Sequence, residues 1–359
     1  MEHVLVIGGG VIGQLCALEL SGRGTRVTVL DAPEHYAPAS WAGGGILSPL
    51  FPWRFSDGLS ALCAQAVADY RALNQRIVAA GGQDAEVSAS PLLCLCDDQE
   101  QDVLAWASRW QRSIERCDAG VFYPHLRGRS AWQLRDSGSI RNPRLLKGLR
   151  TLLAEQGITT TGALVKEIFP GATLSVRTNN GDYSADRVVI AAGHSSAALL
   201  QQLGVAHELL PVKGQMLRYT SVPDTPQHVL LSEQGYVIPR QDGSLLVGST
   251  LEPNRVDMDT DQSAAAHLQK IAAQLWPALA PLMPSNHWAG IRPGHSRDVP
   301  IIDSLQTDKR IWVCTGHYRN GLVSAPASAR LLAQRMCNEV PELESMDYSF
   351  SSPGSSDSF

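Results

Sequence analysis

The chain has no run of about 20 consecutive apolar residues, the length that a helix needs to cross a bilayer. We also expect no secretory signal, because acidic Glu2 precedes the first apolar run, which Gln14 and Glu19 interrupt. Positive charge is not in excess: 30 Lys and Arg against 35 Asp and Glu give a formal net charge of −5. We therefore expect neither a membrane nor a nucleic acid as partner, and we expect a cytoplasmic protein.

Cysteine is scarce and irregularly placed. The seven cysteines are odd in number and scattered, which favours a reducing compartment over a disulfide framework. The stretch "CLC" at 94–96 brings two of them together, but no second Cys/His pair follows at the spacing of a zinc finger. We predict no metal site.

The composition is that of an ordinary globular protein, with 44% hydrophobic and 18% charged residues. At 359 residues the chain is long for one compact domain, so we expect two packed substructures.

The first 31 residues predict a strand, a helix and a second strand. "HVLVIG" at 3–8 is a buried strand, residues 11–22 have helical periodicity, and "TRVTVLD" ends at the acidic Asp31. Such a βαβ unit with an acidic residue closing its second strand is typical of dinucleotide-binding folds.

Gly8, Gly10 and Gly13 form the G-x-G-x-x-G spacing at the end of the first strand. The first glycine permits a tight turn, the second lets the backbone approach a pyrophosphate, and the third packs the helix on the strand. The helix N-terminus favours phosphate, and Asp31 is placed to accept hydrogen bonds from a ribose hydroxyl. A glycine-rich turn without a ligand is the alternative.

The rest of the chain predicts an α/β protein with a long antiparallel part. We expect helices over 58–80, 99–116 and 143–157, a hairpin turn at "TNNGD", a buried strand at 186–193, antiparallel strands over 207–251, and a strand, loop and last helix from 310 to about 338. Arg240 and Asp242 are predicted to flank an exposed hairpin, and the Ser-rich end of the chain to be unfolded.

These patterns leave the choice between NAD and FAD open. Gly43, Gly44 and Gly45 form a second glycine cluster shortly after the second strand, which favours backbone lying close to more ligand than one nicotinamide site requires. A surface loop is the alternative interpretation.

Several further motifs narrow the choice. From Val4 to about residue 338 the chain resembles the glycine oxidase and D-amino-acid oxidase group of FAD-dependent amine oxidoreductases, in seven stretches that occur in the same order: "VIGGGVIG", "WAGGGIL", "VVIAAG", "LPVKGQ", "YVIPRQDGSLLVGST", "WAGIRPGHSRDVPIID" and "GHYRNGL". The resemblance implies noncovalent FAD. It places these residues at the cofactor: Gly8, Gly10, Val11, Ile12, Gly13, Asp31, Ala39, Ser40, Gly44, Gly45, Ile46, Val165, His317, Tyr318, Arg319, Asn320, Gly321, Leu322 and Val323.

The resemblance also implies a substrate site. Arg292 in "WAGIRPG" would clamp a carboxylate, which a guanidinium fork matches bidentately, with Tyr236 adding a hydroxyl and Arg319 and Ile46 nearby. Without the resemblance, Arg292 would be interpreted as a surface ion pair and Tyr236 as a packing residue. Trp53, in "SPLFPWRF", is hypothesised to lean over the site and limit substrate size.

The implied activity is an FAD-dependent amino-acid oxidase. Glycine, sarcosine or a small D-amino acid would lose a hydride to flavin N5, O2 would become H2O2, and the imine would give glyoxylate and ammonia or supply thiamine thiazole synthesis. No side chain is expected to act as catalytic acid or base. The alternatives are a dehydrogenase of this fold that reduces a quinone, an NAD(P)-dependent Rossmann dehydrogenase, and a flavin-binding protein without catalysis.

The expected fold is α/β. It combines an FAD-binding Rossmann-like (GR2-type) domain from 1–85, 150–210 and 295–340 with a substrate domain on a mainly antiparallel sheet from 86–149 and 211–294. Residues 341–359 are expected to form a flexible tail. The expected partners are a small amino acid and O2, and the assembly is expected to be a homo-oligomer, for which relatives suggest a tetramer.

Overall fold

The computed structural model describes residues 1–32, 39–343 and 346–350. Its strands are β1 His3–Ile7, β2 Arg26–Asp31, β3 Ser88–Ala89, β4 Leu92–Leu95, β5 Ile114–Asp118, β6 Ser130–Leu134, β7 Gly138–Ser139, β8 Thr159–Gly162, β9 Val165–Phe169, β10 Leu174–Thr178, β11 Gly181–Ala185, β12 Arg187–Ile190, β13 Leu210–Tyr219, β14 Val229–Ser232, β15 Gly235–Pro239, β16 Leu245–Gly248, β17 Glu252–Pro253, β18 Asn286–Gly294, β19 Ile301–Ser304 and β20 Ile311–Thr315. Its helices are α1 Val11–Ser21, α2 Ala39–Ala42, α3 Asp57–Cys63, α4 Ala66–Ala79, α5 Glu100–Arg109, α6 Asn142–Glu155, α7 Ser196–Gln202, α8 Gln262–Leu275 and α9 Ala325–Met336. Among these described helices, none combines the length and the apolar character that crossing a membrane requires.

The strand at the start of the chain lies in the middle of a six-stranded sheet. The order is β19-β20-β12-β1-β2-β8, and β1 pairs in parallel with both β2 and β12. Parallel pairing continues outward to β8 and β20, whereas β19 runs antiparallel at one edge. Helix α1 connects β1 to β2, which confirms the predicted βαβ unit. Since parallel strands end at the same edge of a sheet, Gly8 and Asp31 lie together there.

Helix α1 is apolar around most of its circumference because protein surrounds it. It contacts β2 on one side and α6 and α9 on another, and eight of its eleven residues are buried. Apolar side chains of α3, α4, α6 and α9 complete this core. The opposite face of the sheet packs on the small antiparallel sheet of β9, β10 and β11.

A second sheet of nine strands is mainly antiparallel, as predicted. Its order is β17-β13-β16-β15-β14-β4-β6-β5, with β18 paired to β13 and with β4 parallel to β14. The β13–β18 ladder is continuous from Leu210↔Gly294 to Arg218↔Asn286. This ladder fixes Arg292 opposite Val212, and the β15–β16 pairing fixes Tyr236 opposite Gly248. Two of the four predicted substrate residues, Arg292 and Tyr236, therefore lie on strands of this sheet. The proposed domain boundaries stay a prediction.

Two predicted helices differ from the structure. The helix expected over 58–80 is divided into α3 and α4, and the one expected over 99–116 ends at Arg109. Gln111 then has a φ of 52°, in the left-handed region, and the chain turns into β5, which pairs with β6. Edge pairing with a distant strand therefore overrides the local helical pattern.

The predicted tail is corrected at Tyr348. This side chain is fully buried, its hydroxyl donates to the Gly58 carbonyl at 2.8 Å, and its own carbonyl accepts from the Ile302 N–H at 2.8 Å. The prediction for 351–359 lies outside the described residues.

Candidate active site

A cleft that is open to solvent, with a volume of about 1840 Å³ including the solvent at its mouth, is lined by residues from both large sheets. Most of the predicted cofactor and substrate residues line it. They are Gly8, Gly10, Val11, Ile12, Asp31, Ala39, Ser40, Gly44, Gly45, Ile46, Val165, Tyr236, Arg292, His317, Tyr318, Arg319, Asn320, Gly321 and Leu322. Gly13 and Val323 do not line it. Gly13 lies beneath the glycine turn, and Val323 is buried in the core beside α9.

The turn after β1 can be built from glycine alone. Gly8 has a φ of +110°, and a Cβ there would lie 2.4 Å from the Ala191 carbonyl oxygen. A Cβ on Gly13 would lie 1.8 Å from the Gly8 oxygen, so α1 packs directly on the end of β1. A Cβ on Gly9 would lie 2.4 Å from the Asp31 Cγ. The spacing seen in the sequence is thus a steric requirement of this turn.

The same turn presents hydrogen-bond donors and one acidic group. The Gly9 N–H donates to Asp31 Oδ1 at 2.9 Å, and the Val11 N–H, at the start of α1, donates to Ser40 Oγ at 3.0 Å. Arg150 approaches Asp31 Oδ2 at 3.7 Å. A helix N-terminus, a glycine turn without side chains and an adjacent carboxylate fit the pyrophosphate and ribose of a dinucleotide. The site therefore fits FAD at this end.

The segment 39–46 lies along the cleft and is fixed by two side chains from elsewhere. Asn142 Nδ2 donates to the Ser40 carbonyl at 2.8 Å and to the Gly43 carbonyl at 3.0 Å. Arg240 donates to the Gly44 carbonyl at 2.7 Å and to that of Ile140 at 2.9 Å. Sequence reasoning identified neither Asn142 nor Arg240 as a site residue.

Arg240 corrects the prediction of an exposed hairpin flank. Its guanidinium is enclosed by protein, and this burial lowers the pKa of Arg240 to about 10, with the charge of Arg141 acting in the same direction. Asp242, by contrast, stays partly exposed and pairs with Arg141 and Arg218. The hairpin therefore points one arginine inward, onto the loop that lines the cleft.

The segment after β20 forms another wall. His317 is buried and its Nε2 lies 3.1 Å from Ser328 Oγ, while Tyr318 has a φ of 49° in a short 3₁₀ turn. The Asn320 carbonyl accepts a hydrogen bond from the Ser324 hydroxyl at 2.6 Å. These contacts fix the backbone of 317–322 along the cleft, where the resemblance places the flavin. Arg319 is exposed at the cleft surface.

Arg292 projects into the cleft from β18. Its Nη1 donates to the Lys213 carbonyl at 3.4 Å and to the Thr250 carbonyl at 3.3 Å, and its Nη2 donates to Ser249 Oγ at 2.8 Å. All three acceptors are neutral, and no carboxylate of the described residues lies within salt-bridge distance. Burial lowers the pKa of Arg292, and the charge of Arg319 acts in the same direction.

A glycine makes room for this guanidinium. A Cβ on Gly214 would lie 2.2 Å from Nη1 and 2.3 Å from Nη2 of Arg292. Tyr236 lies in a comparable way between glycines: a Cβ on Gly248 would lie 2.7 Å from its hydroxyl oxygen, and one on Gly44 would lie 3.3 Å from its Cε2. Both substrate side chains are therefore confined by close backbone.

The segment "SPLFPWRF" reaches the cleft, but not through Trp53. Ser48 and Leu50 line the cleft. Trp53 does not line it. Its ring packs at 6.3 Å from that of Trp106 and 6.5 Å from that of Trp132, and its indole N–H donates to Asp98. Leu50, and not Trp53, is the apolar side chain that this segment presents to the cleft.

Sequence reasoning missed five residues that shape the cleft. Gly9 and Gly214 make room for functional side chains, Ser249 bonds to Arg292, and Asn142 and Arg240 fix the 39–46 segment. Gly9, Gly214, Arg240 and Ser249 fall inside the quoted motifs "VIGGGVIG", "LPVKGQ" and "YVIPRQDGSLLVGST", so their position in those motifs was an available signal. Asn142 carried no such signal.

Comparison with known proteins gives consistent results. The family described as FAD dependent oxidoreductase (DAO) matches residues 3–335. A glycine oxidase of Pseudomonas aeruginosa is 38% identical over 358 residues, which is 97% of this chain and 98% of the relative. A bifunctional ThiO/ThiG protein of Trichormus variabilis is 29% identical, over 92% of this chain and 52% of that protein. The crystal structure of glycine oxidase from Geobacillus kaustophilus superposes with a TM-score of 0.89 at 24% identity, covering 98% of this chain and 99% of the other.

Proposed function

The chain belongs to the FAD dependent oxidoreductase (DAO) family, and from this premise we propose that it oxidises glycine and closely similar small amines. Bound FAD would supply the two-electron chemistry, accepting a hydride from the substrate carbon and passing its electrons to O2 to give H2O2. The glycine turn, Asp31 and the segments 39–46 and 317–322 would hold FAD without a covalent bond.

The guanidinium of Arg292 carries this proposal. A partly buried cation whose contacts are all neutral is costly, unless an anion joins it during function. Nη1 already serves two carbonyls and Nη2 serves Ser249, which leaves one Nη2 hydrogen and the Nε–H without a partner in the described residues. Two N–H groups on one edge of a guanidinium match the two oxygens of a carboxylate. The site is therefore suited to an amino acid bound through its carboxylate.

Other side chains limit the size and the orientation of that amino acid. The Tyr236 hydroxyl, whose contact with Met216 Sδ is long at 3.9 Å, is available to donate to the same carboxylate. Ile46 and Leu50 give the cleft apolar walls, which favours hydrogen or a methyl group on the substrate carbon. We assign no acid or base to the chain. Its contribution is alignment, because a clamped carboxylate fixes the position of the neighbouring carbon.

The products would be H2O2 with glyoxylate and ammonia, or an imine used directly for thiamine thiazole synthesis. A homo-oligomer, with the tetramer as the suggested form, and a cytoplasmic location remain part of the proposal.

The test is an anaerobic titration of the purified holoenzyme. Flavin absorbance is followed while glycine, sarcosine or D-alanine is added, and H2O2 is then measured after O2 is readmitted. We expect bleaching by glycine at millimolar concentration or below and one H2O2 for each flavin reoxidised. A colourless protein would instead indicate a nicotinamide enzyme, bleaching without H2O2 would indicate a quinone-linked dehydrogenase, and no bleaching would refute catalysis.

A further inference from the structure

Ser249 follows directly on β16 and lines the cleft beside Arg292. Its Oγ accepts the hydrogen bond from Arg292 Nη2 at 2.8 Å. A serine hydroxyl that accepts from a cation keeps its own hydrogen to donate. Within the described residues that hydrogen has no acceptor, and the hydroxyl lies against Nη2, one of the two nitrogens that would contact the carboxylate.

The backbone at Ser249 is fixed by its neighbour. The Gln215 N–H donates to Thr250 Oγ1 at 2.8 Å, and the Thr250 hydroxyl donates to Glu252 at 2.6 Å. Gln215 is fully buried, and its side-chain amide donates to both Glu252 and Asp261 at 2.8 Å. A polar network with every member paired holds its members rigidly. The backbone around Ser249 and Thr250 is therefore held in place before any substrate binds.

A second contact, between Lys213 and Asp257, holds the chain that follows Ser249 against β13. Lys213 is fully buried, and its Nζ lies 2.5 Å from Asp257 Oδ1, while its carbonyl accepts from Arg292. The chain from 249 to 257 thus contacts β13 through Thr250, Glu252 and Asp257, and it contacts Arg292 through Ser249 and Thr250. These contacts fix the position of Ser249 relative to Arg292.

We propose that Ser249 is a further substrate-binding residue, which donates its hydroxyl hydrogen to the carboxylate that Arg292 clamps. The inference rests on the proposed function. Ser249 would act in two ways at once: its oxygen orients the guanidinium, and its hydrogen binds one carboxylate oxygen. A carboxylate would then receive donors from Arg292, Tyr236 and Ser249.

The expected effect falls on binding more than on chemistry. The carboxylate keeps its charge throughout the reaction, so a donor to it stabilises the bound substrate and the transition state about equally. Loss of such a donor raises KM and leaves kcat nearly unchanged. A hydrogen bond to a charged group contributes enough for about a tenfold change in affinity.

The experiment measures acetate binding to the FAD-loaded protein by the change in flavin absorbance, which needs no turnover. Acetate has the carboxylate of glycine without the amine. Ser249→Ala should raise the acetate Kd about tenfold, with KM for glycine raised similarly and kcat within about twofold. Ser249→Thr keeps a hydroxyl and should stay within about threefold of the wild type. Ser184→Ala, at an exposed position on β11, is the matched control and should change nothing.

The outcomes separate this inference from the proposed function. Unchanged acetate affinity in Ser249→Ala would overturn the role of Ser249 alone. An equal loss in the Ala and Thr variants, or loss of FAD together with acetate affinity, would show an effect of volume or folding and would also overturn it. A wild-type flavin spectrum that does not respond to acetate would refute the proposed carboxylate site itself.

Discussion

Arg292→Met would remove the one cation that projects into the cleft from β18, while keeping much of the side-chain volume. If Arg292 clamps the substrate carboxylate, the variant loses a bidentate charge-assisted pair and leaves the carboxylate without its partner. Truncating one side of a buried charge pair costs about 2–5 kcal/mol of binding. At about 1.4 kcal/mol for each factor of ten, kcat/KM for glycine should fall about 30-fold to about 4,000-fold.

The stability of the variant distinguishes a binding role from a structural one. Burial lowers the pKa of Arg292, which means that the protein disfavours this charge, and its three contacts are with neutral oxygens. Replacing it by a neutral side chain removes a desolvation cost. This gain offsets the loss of two long hydrogen bonds to carbonyls, at 3.3 and 3.4 Å, and of the bond to Ser249, so the Tm should change little. Had Arg292 belonged to a buried ion pair, breaking that pair would lower the free energy of unfolding by about 3–5 kcal/mol.

Three measurements on the same preparation complete this test. Flavin absorbance gives the FAD content, an anaerobic stopped-flow trace gives the rate of flavin reduction against glycine concentration, and thermal unfolding gives the Tm. Arg71→Met, at an exposed position of α4, is the control and should match the wild type in all three. A variant that keeps kcat/KM within about threefold, or that loses activity only because its Tm collapses, would refute the carboxylate clamp.

Three further substitutions test the surroundings of this clamp. Gly214→Ala would place a Cβ 2.2 Å from Nη1 of Arg292, so KM for glycine should rise more than tenfold with FAD retained, whereas Gly162→Ala, where a Cβ meets nothing within 4 Å, should match wild type in KM. Arg240→Met removes the donors to the carbonyl of Gly44, in the segment 39–46, and to that of Ile140. Each carbonyl left unpaired costs about 1–3 kcal/mol, so the Tm and the rate of flavin reduction should both fall; an unchanged Tm would contradict this. Gly13→Ala would press a methyl group against the turn after β1, and overpacking of about 1–3 kcal/mol should lower both the Tm and the FAD content in the purified protein; full FAD occupancy would contradict it.

Local patterns predicted the cofactor half of the molecule well. The strand, turn, helix and strand of residues 3–31 follow one another without interruption, and two glycines of the turn are required by the geometry of the turn itself. Gly8 must have a positive φ and Gly13 must lack a Cβ for reasons that lie inside the motif itself. Any sequence that forms this turn between a strand and a helix must meet these two requirements. The βαβ unit was therefore predictable from the residues alone.

The contacts across the cleft were not predictable in this way. Arg240 donates a hydrogen bond to the carbonyl of Gly44, 196 residues away. Trp53 points away from the cleft, because its indole N–H donates to Asp98 and its ring packs against two other tryptophans. The residues next to Arg240 in the sequence would equally suit an exposed arginine on a hairpin, and those next to Trp53 would equally suit a tryptophan that covers the cleft. The direction of a side chain at the end of a strand depends on which partner the sheet brings to it. That information lies in the pairing of distant strands.

The register of the β13–β18 ladder shows where such information could still be found. Arg292 faces Val212, and residues two apart on a strand point to the same face, so Gly214 is the diagonal neighbour of Arg292. A long guanidinium can lie along the neighbouring strand only where that diagonal position has no side chain, which is the position that Gly214 occupies in "LPVKGQ". Tyr236 has a glycine directly opposite it instead, since it faces Gly248 across β15 and β16. Gly214 in the middle of β13 and Gly248 at the end of β16, in strands where glycine costs stability, are thus explained by the side chains that need their space. A strand glycine that pairs beside a motif arginine or tyrosine therefore indicates a binding side chain held flat against the sheet, and in this chain both such side chains line the cleft.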